Sequence, residues 1–243
     1  MAKKNLLRKR RRSLVEILVG LGVLLLAIWL FMPSILDTLR GHPLDEVDAS
    51  ASESLRKLSE LEVAEVGTGG DAPPYVRTEF GDGWADLDGD GCNTRNEILA
   101  RDMSEVRFRP RTDDCVVESG VLSDPYTDTT IYFERGQETS QAVQIDHVVA
   151  LADGWRAGAW SWDARERLEF ANDPLNLLAV DGLANQAKGA STADRWLPDN
   201  GDYHCQYAAR QVAVKYKWDL TVTREERQAL NGILSGCADS ADK

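Results

Sequence analysis

The segment Gln144-Ile-Asp146-His147-Val-Val-Ala-Leu151 is apolar except for a glutamine and an adjacent acid and histidine. Its aliphatic residues predict a β-strand that delivers the Asp-His pair. Two polar stretches follow it along the chain, Asn172-Asp-Pro-Leu-Asn176-Leu-Leu-Ala-Val180 and Asn185-Gln-Ala-Lys188-Gly189. Asn176 and Asn185 are nine positions apart, and Lys188 is three positions further on. This order and spacing carry more information than an isolated Asp-His pair.

The arrangement resembles the HNH, or ββα-metal, endonucleases, in particular the HNH domain at the C-terminus of GmrSD-type restriction enzymes and exported actinobacterial members of that family. There an acid-histidine pair ends the first strand and an Asn-Leu pair follows. A metal-binding residue and then a lysine come at the spacing of Asn185 and Lys188. The likeness extends from about Tyr75 to Cys237 and includes Tyr75-Val-Arg77-Thr-Glu-Phe80-Gly81, Asp124-Pro-Tyr-Thr127 and Arg195-Trp196-Leu-Pro198.

The resemblance implies a role for each residue of this set. His147 would take the proton of the attacking water, since an imidazole with a pKa of about 6.5 can do so near neutral pH. Asp146 and Asn185 would hold one divalent ion, and their hard oxygen atoms suit Mg²⁺ or Mn²⁺ better than Zn²⁺. Asn176 would hold the active-site loop and orient His147 through its amide. Lys188 would meet a phosphate oxygen.

Each of these residues has a structural alternative. A histidine in an apolar strand is often a hydrogen-bonded core residue without catalytic function. Asn176 could cap a turn, and Asn172 could then take its role. Lys188-Gly189 is also typical of a helix C-terminus, where lysine suits the helix dipole and glycine the left-handed cap.

A second candidate site lies in Asp86-Leu-Asp88-Gly-Asp90-Gly91-Cys-Asn-Thr-Arg-Asn-Glu97. Acids at positions 1, 3 and 5, glycine at 6 and glutamate at 12 match the template of a calcium-binding loop. Against this, Asn93 stands where such loops carry an apolar residue, and no clear helix precedes the loop. The alternative is a polar turn before a helix that Thr94 and Glu97 cap. A bound Ca²⁺ would brace the fold and take no part in catalysis.

The cysteines indicate an oxidising compartment. Cys92, Cys115, Cys205 and Cys237 all follow the apolar N-terminal run, and an even number in an exported domain predicts two disulfides. Three pairings are open, and proximity in sequence favours Cys92–Cys115 with Cys205–Cys237. Since the chain has no CxxC pair, a structural zinc site is not expected.

The N-terminal region predicts a membrane anchor. Residues 1–13 form a basic cytoplasmic tail, and residues 14–32 form an apolar run that only Glu16 interrupts. At about 1.5 Å per residue this run spans roughly 28 Å, close to the thickness of a bilayer core. The basic tail places the N-terminus in the cytoplasm and the rest outside the cell. The alternative is cleavage of a signal peptide, which would release a secreted protein, but no small-x-small site follows the run.

The remaining chain divides into a spacer, residues 33–74, with a short amphipathic helix near Ser50–Val66, and an extracytoplasmic HNH nuclease-like domain, residues 75–243. The domain is predicted as α+β, a ββα-metal core with added helices and disulfides. We interpret residues 148–175 as an insertion that carries hydrophobic core, with a substrate-facing lid as the alternative. Predicted helices are Arg95–Asp102, Trp162–Ala171, Leu183–Lys188, Gln206–Lys217 and Arg224–Ser235, and strands lie near Thr130–Arg135 and Val143–Val149.

The charge limits how the protein can hold a substrate. A formal net charge of −12 argues against binding nucleic acid through the overall field. Local contacts are the remaining option. Two basic groups could contact backbone phosphates, with a solvated surface as the alternative for both: Arg107, Arg109 and Arg111 on one extended segment, and Arg210, Lys215 and Lys217 on a late helix.

Together these features predict a membrane-anchored, exported HNH endonuclease that cuts DNA without sequence preference. It would use one divalent metal ion and no organic cofactor, and its binding of nucleic acid would be weak and local. Two other functions fit the same sequence. One is a calcium-stabilised surface-binding module with an inactive HNH-like shell, and the other is an exported toxin-like nuclease effector.

Overall fold

The computed structural model of the chain describes residues 51–64, 72–137 and 139–241. The predicted cytoplasmic tail (1–13) and anchor (14–32) lie outside the described residues. None of the helices within the described ranges is long and apolar enough to cross a membrane. The described ranges cover the helix of the predicted spacer and most of the predicted extracytoplasmic domain.

Helices and strands mix along the described ranges, which confirms the α+β class. The helices are α1 (Ala51–Glu60), α2 (Thr94–Asp102), α3 (Leu151–Arg156), α4 (Ala164–Ala171), α5 (Gly182–Lys188), α6 (His204–Lys217) and α7 (Arg224–Ala241). The strands are β1 (Ser104–Phe108), β2 (Val117–Ser123), β3 (Thr130–Glu134), β4 (Val143–His147) and β5 (Leu177–Asp181). The predicted helices are confirmed with shifts at their ends. The sequence pattern does not predict β1, β2, β5 or α3.

The strand that carries the Asp-His pair belongs to a small antiparallel sheet. Strands β1, β2 and β3 form one sheet in that order, and β4 pairs with β5 in another. Asp146 lies opposite Leu178, and His147 lies opposite Leu177. Helix α5 follows β5 directly and packs against both strands. The partner of β4 is therefore β5, and β4, β5 and α5 form one strand–strand–helix unit.

The insertion between β4 and β5 carries core residues. It contains α3 and α4, and its Trp155 and Phe170 are buried in one cluster with Phe80 and Val149. The rings of Phe80 and Phe170 are fully buried, with centroids 6.1 Å apart. The expectation of hydrophobic core is thus confirmed. The cluster also fixes α4 beside the end of β4.

Helix α1 packs into the same domain, although the sequence assigns it to a spacer. Its Leu58 and the following Leu61 are buried in a cluster with Leu230 and Leu234 of α7. Arg227 of α7 donates a hydrogen bond of 3.0 Å to the carbonyl oxygen of Leu58. The packed domain therefore includes chain that precedes the predicted boundary at residue 75.

Both disulfides have the pairing that proximity in sequence favours. Cys92–Cys115 connects the residue just before α2 to the approach to β2, and Cys205–Cys237 connects α6 to α7. The bridges close loops of 23 and 32 residues. In the chain-entropy treatment each loop of this size contributes about 3–4 kcal/mol to stability.

Three helices meet at a buried cluster of charges. The Nζ atom of Lys215 in α6 lies 2.9 Å from a carboxylate oxygen of Asp153 in α3 and 2.7 Å from one of Glu226 in α7. Burial alone would lower the pKa of Lys215, but the charges of Asp153 and Glu226 raise it above its ordinary value. The ammonium therefore stays charged and holds the three helices together.

Replacing this ammonium should destabilise the fold strongly. The variant Lys215→Met leaves two buried carboxylates without their cation, which should lower the free energy of unfolding by about 3–5 kcal/mol. Urea denaturation measures the change. The matched control is Arg165→Met, since Arg165 is 85% exposed and its pair with Glu169 should contribute about 0.5 kcal/mol or less. Equal stabilities for the two variants would contradict the prediction.

Candidate active site

Strand β4 presents Asp146 and His147 to opposite environments, because neighbours in an extended chain point to opposite faces. Asp146 is buried, with 4% exposure, and faces α5. His147, the last residue of the strand, faces α4 and is half-buried. The Asp-His pair is thus divided between a buried side and a partly open side.

The hydrogen bond of His147 fixes which ring nitrogen carries the proton. Its Nε2 atom lies 2.8 Å from the carbonyl oxygen of Ala171, at the end of α4. A carbonyl oxygen can only accept, so Nε2 holds the hydrogen and a neutral ring has its lone pair on Nδ1. The indole of Trp84 stacks on the imidazole, with ring centroids 5.6 Å apart and planes 8° apart. The ring is therefore held in one orientation with Nδ1 as the basic atom.

The surroundings of His147 keep the imidazole neutral. The pKa of the ring is lowered to about 4, mainly by burial, and the positive charges of Arg77 and Lys188 act in the same direction. The bond to Ala171 and the charge of Asp146 act in the opposite direction and offset part of the effect. At neutral pH the ring is therefore unprotonated, and its lone pair on Nδ1 is available.

Asp146 is bound on both of its carboxylate oxygens. The Nζ atom of Lys188 lies 2.9 Å from Oδ1, and the Tyr126 hydroxyl donates to Oδ2 at 2.6 Å. Lys188 is 1% exposed and also donates to the carbonyl oxygen of His147 at 2.8 Å. The ammonium therefore holds the end of β4 from inside. This placement differs from the expected contact of Lys188 with a substrate phosphate.

Asn176 holds the chain just after the histidine. Its side chain is fully buried, accepts a bond from the Val149 N–H at 2.8 Å and donates to the Val149 carbonyl at 3.1 Å. The Val148 N–H donates to the Asn176 carbonyl at 2.8 Å. The amide of Asn176 thus contacts the backbone two residues beyond His147, and not the imidazole.

Asn172, the alternative to Asn176, has a different position. Its Oδ1 accepts from the Ala85 N–H at 2.9 Å, and its Nδ2 donates to the Leu168 carbonyl at 2.9 Å. Asn172 therefore fastens the segment that carries Trp84 to the end of α4. Both asparagines therefore act on backbone segments near His147: Asn176 on the turn that follows it, and Asn172 on the segment that carries Trp84.

The structure brings Asn185 to the same side of β4 as Asp146. The Asn185 amide donates from Nδ2 to the side-chain oxygen of Gln144 at 2.9 Å. A divalent ion between Asp146 and Asn185 would compete with the Lys188 ammonium for the same buried carboxylate. In the described arrangement these residues therefore do not fit the Mg²⁺ or Mn²⁺ ligand set that the resemblance implies.

The acidic loop before α2 brings three carboxylates close together. Carboxylate oxygens of Asp86, Asp88 and Asp90 lie within 4.8 Å of one another, and all three residues are exposed. Burial raises the pKa of Glu97, and the charges of the three aspartates raise it further. Helix α2 is capped by Asn93, whose side chain accepts from the Asn96 N–H. The alternative cap by Thr94 and Glu97 is thus wrong.

The two basic groups have different surroundings. Arg107, Arg109 and Arg111 are exposed, but β1 ends at Phe108, and Arg111 lies in a turn with a φ of 68°. Only the first lies within the strand, so the three do not share one extended segment. The cations of the predicted late helix, α6, all have partners within the protein. Arg210 bonds the Leu175 carbonyl, Lys215 pairs with Asp153 and Glu226, and Lys217 pairs with Asp173. The late helix therefore offers no free basic face.

Sequence reasoning missed three groups that shape the site. They are Trp84, Tyr126 and the carbonyl oxygen of Ala171. Tyr126 lies in the Asp124–Thr127 stretch that carries part of the family likeness. The sequence therefore draws attention to this stretch but does not indicate what Tyr126 binds. A backbone carbonyl has no signature in the sequence, and the spacing between Trp84 and His147 gives no reason to pair them.

Comparisons with known proteins agree with the unit that carries the site. A family described as "GmrSD restriction endonucleases, C-terminal domain" matches residues 93–233. A relative from Arthroderma benhamiae, described as "Uncharacterized secreted protein", is 36% identical over 190 residues, which cover 77% of this chain and 86% of the relative. No solved structure matches the chain significantly. The family match includes β4, β5 and α5 but not the segment with Trp84.

The His147 ring should titrate far below the ordinary range. We expect NMR of the labelled protein to give its pKa as about 4. The variant Trp84→Ala opens the ring to water and should raise this pKa by at least about one unit, because desolvation is the main cause of the shift. Trp160→Ala removes an indole that is 38% exposed and should leave the pKa unchanged. A wild-type value near 6.5 would contradict the described burial.

Proposed function

Because the chain belongs to the family of GmrSD restriction endonuclease C-terminal domains, we propose that it hydrolyses phosphodiester bonds of nucleic acid with His147 as the general base. The observation that carries this proposal is the bond from His147 Nε2 to the Ala171 carbonyl. It leaves Nδ1 as the basic atom of a neutral ring, and the half-buried ring reaches the partly open side of β4.

In the proposed reaction Nδ1 takes one proton from a water molecule as its oxygen attacks phosphorus. A new P–O bond forms, the bond to the leaving oxygen breaks, and the leaving oxygen takes a proton from solvent. The charge of Asp146 favours the imidazolium that results. Asn176 accepts a bond from the Val149 N–H, just after His147, and Asn172 accepts one from the Ala85 N–H, next to Trp84. These two bonds hold the segments that position the ring.

HNH nucleases are generally metal-dependent, and the family resemblance implies an ion on Asp146 and Asn185. The pairing of Asp146 with Lys188 and Tyr126 does not fit that ligand set. The cleavage assay therefore needs separate arms with EDTA, Mg²⁺ and Mn²⁺. Activity that requires Mg²⁺ or Mn²⁺ and disappears in Asn185→Ala would support the implied ligand set.

We further propose that cleavage takes place outside the cytoplasm and has little sequence preference. Two disulfides suit an oxidising compartment, and the Arthroderma relative is described as secreted. Residues 14–32 would anchor the chain in the membrane. The charge of −12 leaves few phosphate contacts, which favours weak contacts with the backbone of DNA.

The nuclease proposal is tested with the purified full-length chain on supercoiled plasmid and on RNA. Loss of the base in His147→Ala should lower the cleavage rate about 10²–10⁴-fold. The matched control is His204→Ala, since His204 also bonds a backbone carbonyl, that of Pro198, at 2.7 Å. This control should keep the wild-type rate.

Undiminished cleavage by His147→Ala would rule out the proposed base. Nucleic-acid binding without cleavage under every metal condition would instead favour the binding module with an inactive HNH-like shell. Thermal melting of each variant separates loss of the base from loss of the fold.

We also propose that Asp86, Asp88, Asp90 and Glu97 bind a structural Ca²⁺. The proposal rests on the close spacing of the three aspartates and on the raised pKa of Glu97 beside them. Oxygen donors in this number suit Ca²⁺, and the ion would relieve the repulsion among the four acids. Because Cys92 is bonded to Cys115, the ion would brace the loop that the disulfide joins to the β1–β2 sheet.

Calcium should raise the thermal stability of the protein through this loop. At a concentration about 100-fold above the dissociation constant, the gain in free energy of unfolding is about 2.7 kcal/mol. Asp88→Ala should abolish most of this gain and leave the nuclease rate unchanged. Asp82→Ala removes an exposed acid just outside the loop and should preserve the gain. Calcium-independent melting of the wild type would count against the site.

A further inference from the structure

A phosphodiester substrate brings negative charge to a site whose own cations are largely paired. Three cations of the strand–strand–helix unit and its neighbours have acid partners: Lys188 with Asp146, Lys217 with Asp173 and Arg167 with Glu79. Each pair is neutral overall, so none offers net positive charge to a phosphate. Among the described residues, Arg77 differs, since its charge reaches His147 and it has no acid partner.

Arg77 begins a short 3₁₀ turn, Arg77–Phe80, that is fixed on the insertion. Phe80 is fully buried, and its ring packs 6.1 Å from the ring of Phe170 in α4. Arg167, also in α4, donates to the Glu79 carbonyl at 3.0 Å and to its carboxylate at 3.2 Å. The acid in this turn is therefore paired with another residue, and Arg77 keeps its charge unbalanced.

The chain after the turn runs close to α4. Gly81 has a φ of 92°, and a Cβ atom there would lie 2.7 Å from Leu168 Cδ1, so only glycine allows this close approach. The Arg77 guanidinium lies 3.5 Å from the Gly81 carbonyl. Leu168 is one helical turn before Ala171, whose carbonyl holds the His147 ring. Arg77 and His147 thus lie against the same short helix.

The guanidinium is free to meet a ligand. Arg77 is exposed, and the bond described for it goes to a carbonyl at the outer limit of hydrogen-bond distance. The contacts through Gly81 and Ala171 place both groups against α4, and the charge of Arg77 accordingly acts to lower the pKa of His147. A guanidinium presents paired N–H donors that match the oxygens of a phosphate.

We propose that Arg77 is a catalytic residue that binds a nonbridging oxygen of the scissile phosphate beside His147. The inference rests on the proposed nuclease function, and it adds the charge that neutralises the phosphate during attack. Arg77 lies before the family match, which begins at residue 93. The segment that also supplies Trp84 therefore completes the site from outside the matched region.

Cleavage by Arg77 variants tests this role. We expect Arg77→Ala to lower kcat/KM about 10²–10³-fold, the usual effect of losing one donor to a developing anion. Arg77→Lys should recover part of the loss, since it keeps the charge but not the planar fork. Arg224→Ala is the matched control, because Arg224 is also exposed but begins α7, and it should keep the wild-type rate. Unchanged melting of Arg77→Ala verifies its fold.

A binding measurement on the inactive His147→Ala background gives a second readout. Fluorescence anisotropy with a short labelled DNA duplex and an RNA hairpin should show weaker binding when Arg77→Ala is added. The slope of log affinity against log salt should fall by about one, as expected for one lost phosphate contact. The same addition of Arg224→Ala should leave the slope unchanged.

The outcomes separate this inference from the proposed function. If His147→Ala abolishes cleavage while Arg77→Ala changes neither the rate nor the salt slope, Arg77 is not a phosphate contact and the nuclease function stands. Equal losses in the Arg77 and Arg224 variants would also overturn the inference, since they would reflect general charge. A wild-type chain that neither cleaves nor binds nucleic acid overturns both proposals.

Discussion

The buried pair of Lys188 with Asp146 is the constraint on which the candidate site depends. A carboxylate with 4% exposure is costly to bury unless its charge is balanced and its oxygens are bonded, and Lys188 and Tyr126 meet both needs. The same ammonium bonds the carbonyl of His147, so the pair also fixes the end of β4. With the strand end fixed and one face filled, His147 has to point to the other side.

This division of β4 separates the groups that support the site from the groups that could react. Asp146, Lys188 and Asn176 act on the buried side or on the backbone, where they hold the strand and the turn after it. On the open side, the groups that contact His147 come from outside the strand–strand–helix unit. The insertion provides the Ala171 carbonyl, and the segment before α2 provides Trp84. The strand–strand–helix unit alone would leave His147 without a stacking partner or an acceptor for Nε2. The insertion and the segment before α2 are therefore part of the site.

Much of the site could be predicted because its residues stand at fixed spacings in local elements. The spacing of Asn176, Asn185 and Lys188 carries the family resemblance that implies the strand–strand–helix unit, and proximity in sequence favours the disulfide pairing that the structure has. Strand β5 was missed because a short, fully buried apolar run has no period that distinguishes strand from helix. The sequence places Lys188 in the site but does not predict that it is buried against Asp146, since spacing along a helix does not show which face is buried. Contacts between distant segments, such as the stacking of Trp84 on His147, cannot be predicted from spacing along the chain.

The number of lysines and arginines in the sequence overstates the positive charge that is available to a substrate, because some of these cations are buried and paired. Lys188, Lys215 and Arg210 are each nearly fully buried and bonded to internal acceptors, so these cations stabilise the fold and add nothing to the outer surface. The surface is therefore poorer in positive charge than the sequence suggests. A polyanion cannot be held by such a surface as a whole, because distant charges are screened within about 10 Å in salt. The phosphate contact proposed for Arg77 is local in this sense, because it needs only one cation near the reacting group.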